Sequence, residues 1–279
     1  MNKIDFTFGI ITAGWSGSGW RDIMICMIDS IRRQRIPNYE IIIVGGPYIK
    51  EGRYEDIMHV CPDIKHIPFD ETKMPNDLNV NDIPRVWGKN DKESGIDPAW
   101  TTRKKNLITK NAKYENIVFM HDYLCITEGW YEGFLKFGND WDVCMTKIKD
   151  IWGNRYRDWV SWDCPKYGRR NLIPYEDNSP ETVKHTFIIG GYWVAKKYVM
   201  EKDPLDESFL WNGIEVKDGK ADVAKPDRVA DDVEWSLRIR EKYKYVMNPH
   251  STVRHIRVKL TGDEQFVGRI NCPIPIRYI

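Results

Sequence analysis

Short apolar runs in the first half of the chain constrain its fold most strongly. Three of them, residues 6–12, 39–44 and 116–120, are rich in β-branched and aromatic side chains and show no polar alternation. Such runs are typical of strands that are buried on both faces of a sheet. Two segments that predict helices accompany them: residues 20–33 have apolar positions at helical spacing, and residues 101–113 form a basic helix. This alternation predicts an α/β fold in which helices flank a central, mostly parallel sheet.

The second half of the chain is less regular than the first. Helices are predicted at residues 130–137 and 231–242, a strand at 141–146 and a short helix from Ala195. Residues 70–99 are rich in Asp, Asn, Pro and Gly and predict a long loop, which in a compact domain is usually functional or disordered. No repeat, low-complexity tract or linker is visible. We therefore predict a single domain over residues 1–279, with halves at about residues 1–125 and 126–279.

The composition argues against several classes of partner. The 42 Lys and Arg residues nearly cancel the 41 Asp and Glu residues, so a net charge of +1 gives no general attraction to nucleic acid or to an anionic membrane. No apolar stretch approaches the roughly 20 residues that span a bilayer, and no signal peptide precedes the first strand. The six cysteines lack the spacing of a zinc or redox motif. We expect a cytoplasmic protein with reduced cysteines, no transmembrane segment and no nucleic-acid partner.

The strand at residues 116–120 ends in His121-Asp122-Tyr123. Open α/β sheets bind ligands at the carboxyl ends of their strands, so these side chains are candidates for a binding site. A divalent cation that prefers oxygen ligands can bridge the Asp122 carboxylate and two phosphate oxygens of a diphosphate. The alternative is that His121 and Asp122 only cap the strand. A late histidine, His255, is structural unless the fold returns it to this site.

A cluster of carboxylates opens the helix that is predicted at residues 231–242. Asp231, Asp232 and Glu234 stand in its first turn, where the helix dipole favours negative charge, so a purely structural role is one alternative. A carboxylate that faces a reacting hydroxyl can instead accept its proton as a general base. Like charges that are crowded together raise the pKa of one member, which suits that role.

A basic run, Arg103-Lys-Lys-Asn106, begins the helix that precedes the His-Asp strand. Cations and free N–H groups at the start of a helix can bind a diphosphate. The alternative is that these side chains form a solvated helix face.

Aromatic residues make up 13% of the chain, include 12 tryptophans, and bunch between Trp152 and Tyr175. Flat rings interleaved with polar side chains are typical of sugar-binding surfaces, although core packing also uses such rings. Trp152, Trp159 and Trp162 are therefore candidates for stacking against a sugar.

Taken in order, these motifs resemble those of the inverting GT-A glycosyltransferases, in particular the family-2-like group, whose sheet is Rossmann-like. The matching pieces span roughly residues 4–257 and are the helix phrase Ser30-Ile-Arg-Arg-Gln34, the basic helix start Arg103-Lys-Lys-Asn106, the metal motif His121-Asp122-Tyr123, the Gly-Gly strand Ile189-Gly-Gly-Tyr-Trp193 and the Glu-Asp-like motif Asp231-Asp-Val-Glu-Trp235. Each motif is short, and their order carries the resemblance. It implies one GT-A domain whose first half binds a nucleotide sugar and whose second half binds the acceptor and supplies the base.

The resemblance implies transfer of a sugar from a nucleotide-diphosphate sugar, with UDP as the expected nucleotide, to a glycan or other hydroxyl acceptor, with inversion. It makes Asp232 the catalytic base and gives Asp122, His121 and His255 to a Mn²⁺ or Mg²⁺ ion. The implied donor-binding residues are Thr12, Ala13, Gly14, Asp70, Arg103, Asn106 and Asp122. The implied acceptor-binding residues are Trp152, Trp159, Trp162, Gly191, Tyr192, Trp193, Asp231 and Glu234.

Two departures from the family pattern bear on these assignments. Gly45-Gly46 follows the second strand where the family usually has an acidic pair, so Asp70 is expected to take over the nucleoside contact, and the metal motif has one clear carboxylate. A Rossmann dehydrogenase is disfavoured because Gly14, Gly17 and Gly19 do not follow its glycine spacing. A sugar nucleotidyltransferase and a non-catalytic carbohydrate-binding module are the alternatives that stay open.

Overall fold

The computed structural model describes residues 3–12, 20–45, 59, 61–69, 101–210, 214–217, 220–222 and 230–256. The first half provides strands β1 (Phe6–Ile11), β2 (Tyr39–Gly45), β3 (Lys65–Pro68) and β4 (Asn116–His121) and helices α1 (Trp20–Arg32) and α2 (Thr101–Asn111). The predicted loop at residues 70–99 and three predicted donor-binding residues, Ala13, Gly14 and Asp70, lie outside the described residues.

The second half provides many short elements and one long strand. Its strands are β5 (Leu124–Ile126), β6 (Val143–Lys149), β7 (Val160–Ser161), β8 (Thr186–Phe187), β9 (Tyr192–Lys196), β10 (Phe209–Leu210), β11 (Ile214–Lys217), β12 (Lys220–Asp222) and β13 (Tyr245–His255). Its helices are α3 (Trp130–Phe137), α4 (Pro180–Val183), α5 (Lys197–Lys202) and α6 (Asp231–Ile239). No helix in the described part of the chain combines the length and apolarity that a membrane span requires.

Eight strands form the central sheet, in the order β3-β2-β1-β4-β9-β6-β13-β5. β1 pairs in parallel with β2 and β4, β2 with β3, and β6 with β13. β9 lies antiparallel between β4 and β6, and β5 lies antiparallel beside β13. The other six strands share one direction, which confirms the predicted α/β fold around a mostly parallel sheet. The turn that leads into β9 consequently lies at the same edge as the carboxyl ends of β1 and β4.

Helix α1 shows how the sequence pattern produces the packing. Among its described side chains, the buried apolar residues are Met24, Met27, Ile28 and Ile31, whose spacing of three and four places them on one face of a helix. On another part of the core, the Phe6 ring of β1 contacts the Trp130 and Phe134 rings of α3 at centroid distances of 5.0 and 5.3 Å. Burying side chains of this size contributes roughly 2–3 kcal/mol each.

Helix α2 approaches β1 closely at Gly9. A Cβ atom at Gly9 would stand 2.3 Å from Cγ2 of Ile108, which is fully buried. Any larger residue at position 9 would therefore push the helix away from the strand. The close approach holds the first turns of α2, with Lys104 and Lys105, beside the strand ends.

Helix α6 is fixed on the other side of the same edge. The Trp235 ring packs on the Trp193 ring of β9 with centroids 4.6 Å apart, and its indole N–H donates to the carbonyl of Asp203 at 2.7 Å. The Ser236 hydroxyl oxygen accepts a hydrogen bond from the backbone N–H of Ile188 at 2.9 Å. These contacts hold the first turn of α6, with Asp231 and Asp232, next to the segment that leads into β9.

Candidate active site

Thr12 and Asp122 meet at the carboxyl ends of β1 and β4. The two strands are parallel neighbours, with Ile11 opposite His121, so the residues that follow them lie side by side. The Thr12 hydroxyl donates to Oδ2 of Asp122 at 2.6 Å, and both side chains are buried. The Lys104 ammonium donates to the carbonyl of Thr12 at 2.8 Å. A lysine, a threonine and a carboxylate thus form one connected group at the edge where open α/β sheets bind ligands.

Tyr123 connects two of the histidine side chains. Its hydroxyl lies 2.9 Å from Nδ1 of His121, and its ring lies 4.7 Å from the His255 ring between centroids. His255 reaches this place because β13 pairs with β5 and the N–H of Ile256 donates to the carbonyl of Tyr123 at 2.9 Å. The fold therefore returns His255 to the His121-Asp122-Tyr123 segment. From the sequence, a functional role was predicted for His255 only in this case.

The residues predicted to hold a metal ion are near one another without forming a complete ligand set. Asp122 bonds to Thr12, whereas His121 and His255 both contact Tyr123. Across the described ranges, no group of three or more His, Cys, Asp or Glu side chains is arranged to hold a metal ion. A cation here would need further ligands, which a bound diphosphate can supply, because Mg²⁺ commonly takes one or two carboxylates together with substrate phosphates.

The turn at Gly190 and Gly191 joins this strand edge to α6. It is closed by a hydrogen bond from the N–H of Tyr192 to the carbonyl of Ile189 at 2.9 Å, and the carbonyl of Gly191 accepts from the N–H of His121 at 2.9 Å. The N–H of Gly190 donates to Oδ2 of Asp232 at 2.7 Å. Through this turn, the carboxylate on α6 is held beside the residues at the end of β4.

Close approach explains both glycines of the turn. A Cβ atom at Gly190 would stand 3.0 Å from Oδ2 of Asp232, and one at Gly191 would stand 3.2 Å from the hydroxyl oxygen of Tyr123. Side chains at these positions would therefore press on the two groups that the turn holds in place. The glycines are needed here for space at the candidate site.

A buried lysine faces the carboxylate pair of α6. The Lys105 ammonium donates to the carbonyl of Gly190 at 2.8 Å, and the side chain is 1% exposed. Burial lowers the pKa of Lys105, while the charges of Asp231 and Asp232 act to raise it. The Asp231 carboxylate also accepts from the Thr101 hydroxyl at 2.8 Å. The carboxylates therefore have a positive charge and a hydroxyl donor beside them.

Asp232 has the electrostatic environment of a proton acceptor. Burial, followed by the negative charge of Asp231, raises the pKa of Asp232 to about 6. The N–H groups of Gly190 and Val233 and the Lys105 charge act in the opposite direction. A carboxylate with a pKa near 6 is ionised at neutral pH and is a stronger base than an ordinary aspartate.

Comparison with known proteins identifies the architecture. No protein-family profile and no curated protein sequence matches this chain. A crystal structure of S. aureus TarS residues 1–349 in complex with UDP superposes with a TM-score of 0.53 at 10% identity, covering 90% of this chain and 60% of that one. A crystal structure of GalNAc-T7 with UDP, GalNAc and Mn²⁺ also gives a TM-score of 0.53, at 14% identity, covering 91% of this chain and 44% of that one. The chain has the GT-A fold. It spans less than two thirds of either of these proteins.

Arg103 and Asn106, which were predicted to bind the donor, contact the segment after α5. Nε of Arg103 lies 3.2 Å from a Glu207 carboxylate oxygen. The Asn106 amide donates to the carbonyl of Leu205 at 2.9 Å and to Glu207 at 3.0 Å, and it accepts from the N–H of Leu205 at 3.1 Å. Asn106 thus uses its amide to hold the 205–207 segment against α2.

The aromatic residues that were predicted to bind the acceptor divide by burial. Trp159, Tyr192 and Trp193 are fully buried, so their rings present no face to an acceptor. Trp193 stacks on Phe119 at 4.2 Å, Trp159 on Tyr245 at 5.9 Å, and the Tyr192 hydroxyl accepts from the Trp130 indole at 2.9 Å.

The other predicted acceptor residues lie nearer the surface. Trp152 is 65% exposed and Trp162 is partly buried. Glu234 pairs with Arg238 one helical turn later in α6, at 2.9 Å from Nε. Glu234 therefore has a structural partner, whereas Asp232 faces the Gly190 turn.

The solvated-face alternative for the basic run is wrong for its two lysines, because Lys104 and Lys105 are each 1% exposed. From this run, Arg103 and Asn106 were predicted to bind the donor, and the lysines between them were not. The sequence feature that could have identified the two lysines is their position at the start of a helix before the His-Asp strand. Their burial depends on the carbonyls of Thr12 and Gly190, which are distant in the sequence.

Proposed function

We propose that this chain is a glycosyltransferase that moves a sugar from a nucleoside-diphosphate sugar, with UDP as the nucleotide, to a glycan or another acceptor hydroxyl. The GT-A fold supports the proposal, and both superposed proteins were crystallised with UDP. The polar groups at the carboxyl ends of β1 and β4 support a donor site at that edge. The proposed domain is a single unit, with the donor bound mainly by the first half and the acceptor by the second.

The observation that carries the proposal is the placement of Asp232. Its carboxylate, with a pKa raised to about 6, is fixed by the Gly190 N–H beside the residues that end β4. A general base must be ionised at the working pH and held within reach of the hydroxyl proton that it removes. Asp232 meets the first condition, and its attachment to the turn beside the strand edge supports the second.

In the proposed reaction, an acceptor hydroxyl oxygen attacks the anomeric carbon of the donor sugar. Its proton passes to Asp232, the new glycosidic bond forms, and the bond from the anomeric carbon to the diphosphate oxygen breaks. Direct displacement of this kind inverts the anomeric configuration. Asp232 then returns the proton to solvent, and the nucleoside diphosphate leaves.

Donor binding is proposed for residues along the β1–β4 edge. Thr12 and Asp122 would contact the donor there, with Ala13, Gly14 and Asp70 toward the nucleoside and Arg103 toward the phosphates. Lys104 would hold the Thr12 carbonyl in place. Asn106 would support this site indirectly through the 205–207 segment. Gly191 and Asp231 would shape the acceptor side of Asp232.

We also propose that a Mn²⁺ or Mg²⁺ ion binds with the donor. Asp122 would be its principal protein ligand, with His121 and His255 nearby. Such an ion neutralises the charge that develops on a leaving diphosphate. The Mn²⁺ in the GalNAc-T7 crystal structure is consistent with this proposal. The steps assigned to Asp232 and the Gly190 turn do not depend on it.

Thermal stabilisation by nucleotides tests the proposal. The protein would be melted with UDP, GDP, CDP and TDP, each with and without Mn²⁺. We expect UDP to raise the melting temperature selectively, because a ligand that binds only the folded state stabilises it. Mn²⁺ should increase the shift, and Asp122→Ala should abolish that increase. No shift with any nucleotide would overturn the proposal and favour a carbohydrate-binding module without a nucleotide site.

A further inference from the structure

Trp162 lies on the acceptor side of the proposed base. Its ring meets the Phe187 ring edge-on, with centroids 5.7 Å apart. It packs against a small apolar cluster that contains Val233 and is bordered by Ile189. Val233 follows Asp232 in α6, and Ile189 precedes Gly190. Trp162 is therefore connected through this apolar cluster to both elements that hold the Asp232 carboxylate.

Two arginine side chains lie over the Trp162 ring. The guanidinium carbon of Arg169 is 4.6 Å from the ring centroid and that of Arg170 is 5.3 Å from it. Both residues are exposed. Such cation–π contacts hold a guanidinium group in place while its N–H groups stay available to a ligand.

Arg169 and Arg170 differ from two other basic residues near them. Lys166 pairs with Asp177 at 2.9 Å, and Arg240 pairs with Asp163 at 3.4 Å. Within the described ranges, no carboxylate forms an ion pair with Arg169 or Arg170. Unlike Lys166 and Arg240, these two guanidinium groups therefore have no carboxylate partner in the described part of the chain.

The loop that carries the arginines is firmly built. Ser161 is buried, and its backbone carbonyl accepts a hydrogen bond from the N–H of Arg170 at 2.7 Å. The Ser161 hydroxyl donates to the carbonyl of Gly168 at 2.5 Å. Arg170 has φ of 60°, in the left-handed region that costs a non-glycine residue free energy. The Asn171 amide closes the loop by donating to the carbonyl of Tyr167 at 2.6 Å. The loop holds Arg170 in this conformation through the Ser161 contacts.

From this arrangement we infer that Arg169 and Arg170 form an acceptor subsite for an anionic group, a carboxylate or a phosphate, on the acceptor saccharide. A guanidinium group matches either anion with two parallel N–H donors. The inference rests on the proposed glycosyltransferase function and specifies its acceptor class. It also changes the role expected of Trp162. Because two guanidinium groups and Phe187 already contact its ring, Trp162 positions the arginines and is not the surface on which a sugar stacks.

Binding of matched neutral and anionic saccharides tests this subsite. Isothermal titration calorimetry would compare chitotetraose with a hyaluronan tetrasaccharide, and glucose with glucose 6-phosphate, with saturating UDP present to occupy the donor site. Inorganic phosphate alone serves as a further probe. The hyaluronan and phosphate arms distinguish a carboxylate from a phosphate as the preferred anion.

The test variant is the double substitution Arg169→Gln/Arg170→Gln. A charge-matched control is Arg157→Gln/Lys184→Gln, since both of these residues are exposed and the cations that lie over the Trp162 ring are Arg169 and Arg170. A third variant, Trp162→Ala, removes the ring beneath the guanidinium groups. All substitutions lie at or near the surface, and melting temperatures would verify that each variant folds.

We expect the wild-type protein to bind at least one anionic saccharide about tenfold or more tightly than its neutral counterpart, as charge-assisted hydrogen bonds allow. The arginine variant should lose this preference, while the control should keep it within about twofold. Trp162→Ala should weaken anionic binding and leave neutral binding unchanged. An equal loss for both saccharides would overturn the positioning role of Trp162.

Two results would overturn the subsite itself. One is a wild-type protein that binds neutral and anionic saccharides equally, and the other is an anion preference that survives in the arginine variant. UDP binding keeps this outcome separate from the proposed function, because UDP should stabilise the wild-type protein and the arginine variant alike. If UDP fails to bind the wild-type protein, the glycosyltransferase proposal fails, and the anion preference is then measured without nucleotide.

Discussion

The carboxylate of Asp232 accepts a hydrogen bond from the backbone N–H of Gly190 at 2.7 Å. The carbonyl of the same glycine accepts a hydrogen bond from the buried Lys105 ammonium at 2.8 Å. One residue of the turn before β9 thus connects an acidic side chain on α6 with a basic side chain on α2. The turn therefore holds the Asp232 carboxylate in place and also holds near it the Lys105 charge that acts to lower its pKa.

The rate of the proposed reaction should depend on the ionisation of Asp232. Its pKa is raised to about 6, and only the deprotonated carboxylate can act as a base. Hydrolysis of a UDP-sugar should therefore increase as the pH rises through about 6 and then level off. The pH profile of kcat/KM would measure this in the free enzyme. A profile that stays flat down to about pH 4, where ordinary aspartates titrate, would contradict it.

Replacing Lys105 by Met should move that pH profile to higher pH. The Lys105 charge opposes the rise in the pKa of Asp232, so its removal should raise this pKa further. Lys104→Met is the matched comparison because Lys104 bonds to Thr12 on the donor side. It should weaken UDP binding and leave the midpoint of the pH profile in place. Equal midpoints for wild-type protein and Lys105→Met would contradict the proposed coupling.

Alanine at Gly190 should impair turnover more than alanine at Gly191. A Cβ atom at Gly190 would press directly on the Asp232 carboxylate at 3.0 Å, whereas one at Gly191 meets the Tyr123 hydroxyl at 3.2 Å. Small displacements of a catalytic group are costly, so we expect Gly190→Ala to lower kcat by about tenfold or more. UDP affinity, measured by calorimetry, should change little. A Gly190→Ala enzyme with normal kcat would show that the turn does not position the base.

Asn106→Ala should destabilise the protein. Its buried amide makes three hydrogen bonds to Leu205 and Glu207, and leaving such groups unsatisfied costs about 1–3 kcal/mol. Urea unfolding would measure this, with the exposed Asn154→Ala as a comparison expected to cost less. If Asn106→Ala keeps wild-type stability and loses UDP affinity instead, Asn106 binds the donor directly.

The first half of the sheet could be predicted from sequence because its strands are uninterrupted apolar runs. β1, β2 and β4 lie within a residue or two of their predicted bounds. β13 gave no comparable signal, since Pro249 and His250 interrupt its apolar pattern and proline is disfavoured inside a sheet. The structure accommodates them with an irregularity in the pairing with β6 between Asn248 and Thr252. A helix was expected from Ala195, but β9 continues to Lys196 and α5 begins at Lys197.

The candidate site could be predicted only where local sequence carried the information. His121, Asp122 and the acidic start of α6 are visible because strand ends and helix starts have recognisable patterns. The burial of Lys105 was not visible, because its partner Gly190 lies 85 positions away in the sequence. Trp159 was selected by residue type and Trp193 by its place in the Gly-Gly motif. Neither signal reveals that both rings are buried in the core.

Asp232→Asn offers a test of the base that is separate from folding. The folded-state pKa of Asp232 lies above the value of about 4 for an unfolded aspartate, so its ionisation disfavours the folded state. This contribution lowers stability as the pH rises from about 4 to 6. The asparagine variant does not ionise, which removes this contribution, but its single amide oxygen can replace only one of the two carboxylate oxygens that accept from the N–H groups of Gly190 and Val233. Leaving one of these N–H groups without a partner costs about 1–3 kcal/mol. Because the two effects oppose each other, the melting temperature of the variant at neutral pH should stay close to the wild-type value.

The rate of UDP-sugar hydrolysis by Asp232→Asn, compared with its UDP affinity, tests the central claim most directly. If Asp232 is the base, hydrolysis should fall by about 100-fold to 10,000-fold. The Kd for UDP should stay within about twofold of the wild-type value, because Asp232 is proposed to act on the acceptor and not to bind the nucleotide. Hydrolysis at the wild-type rate by a folded, UDP-binding variant would contradict the account.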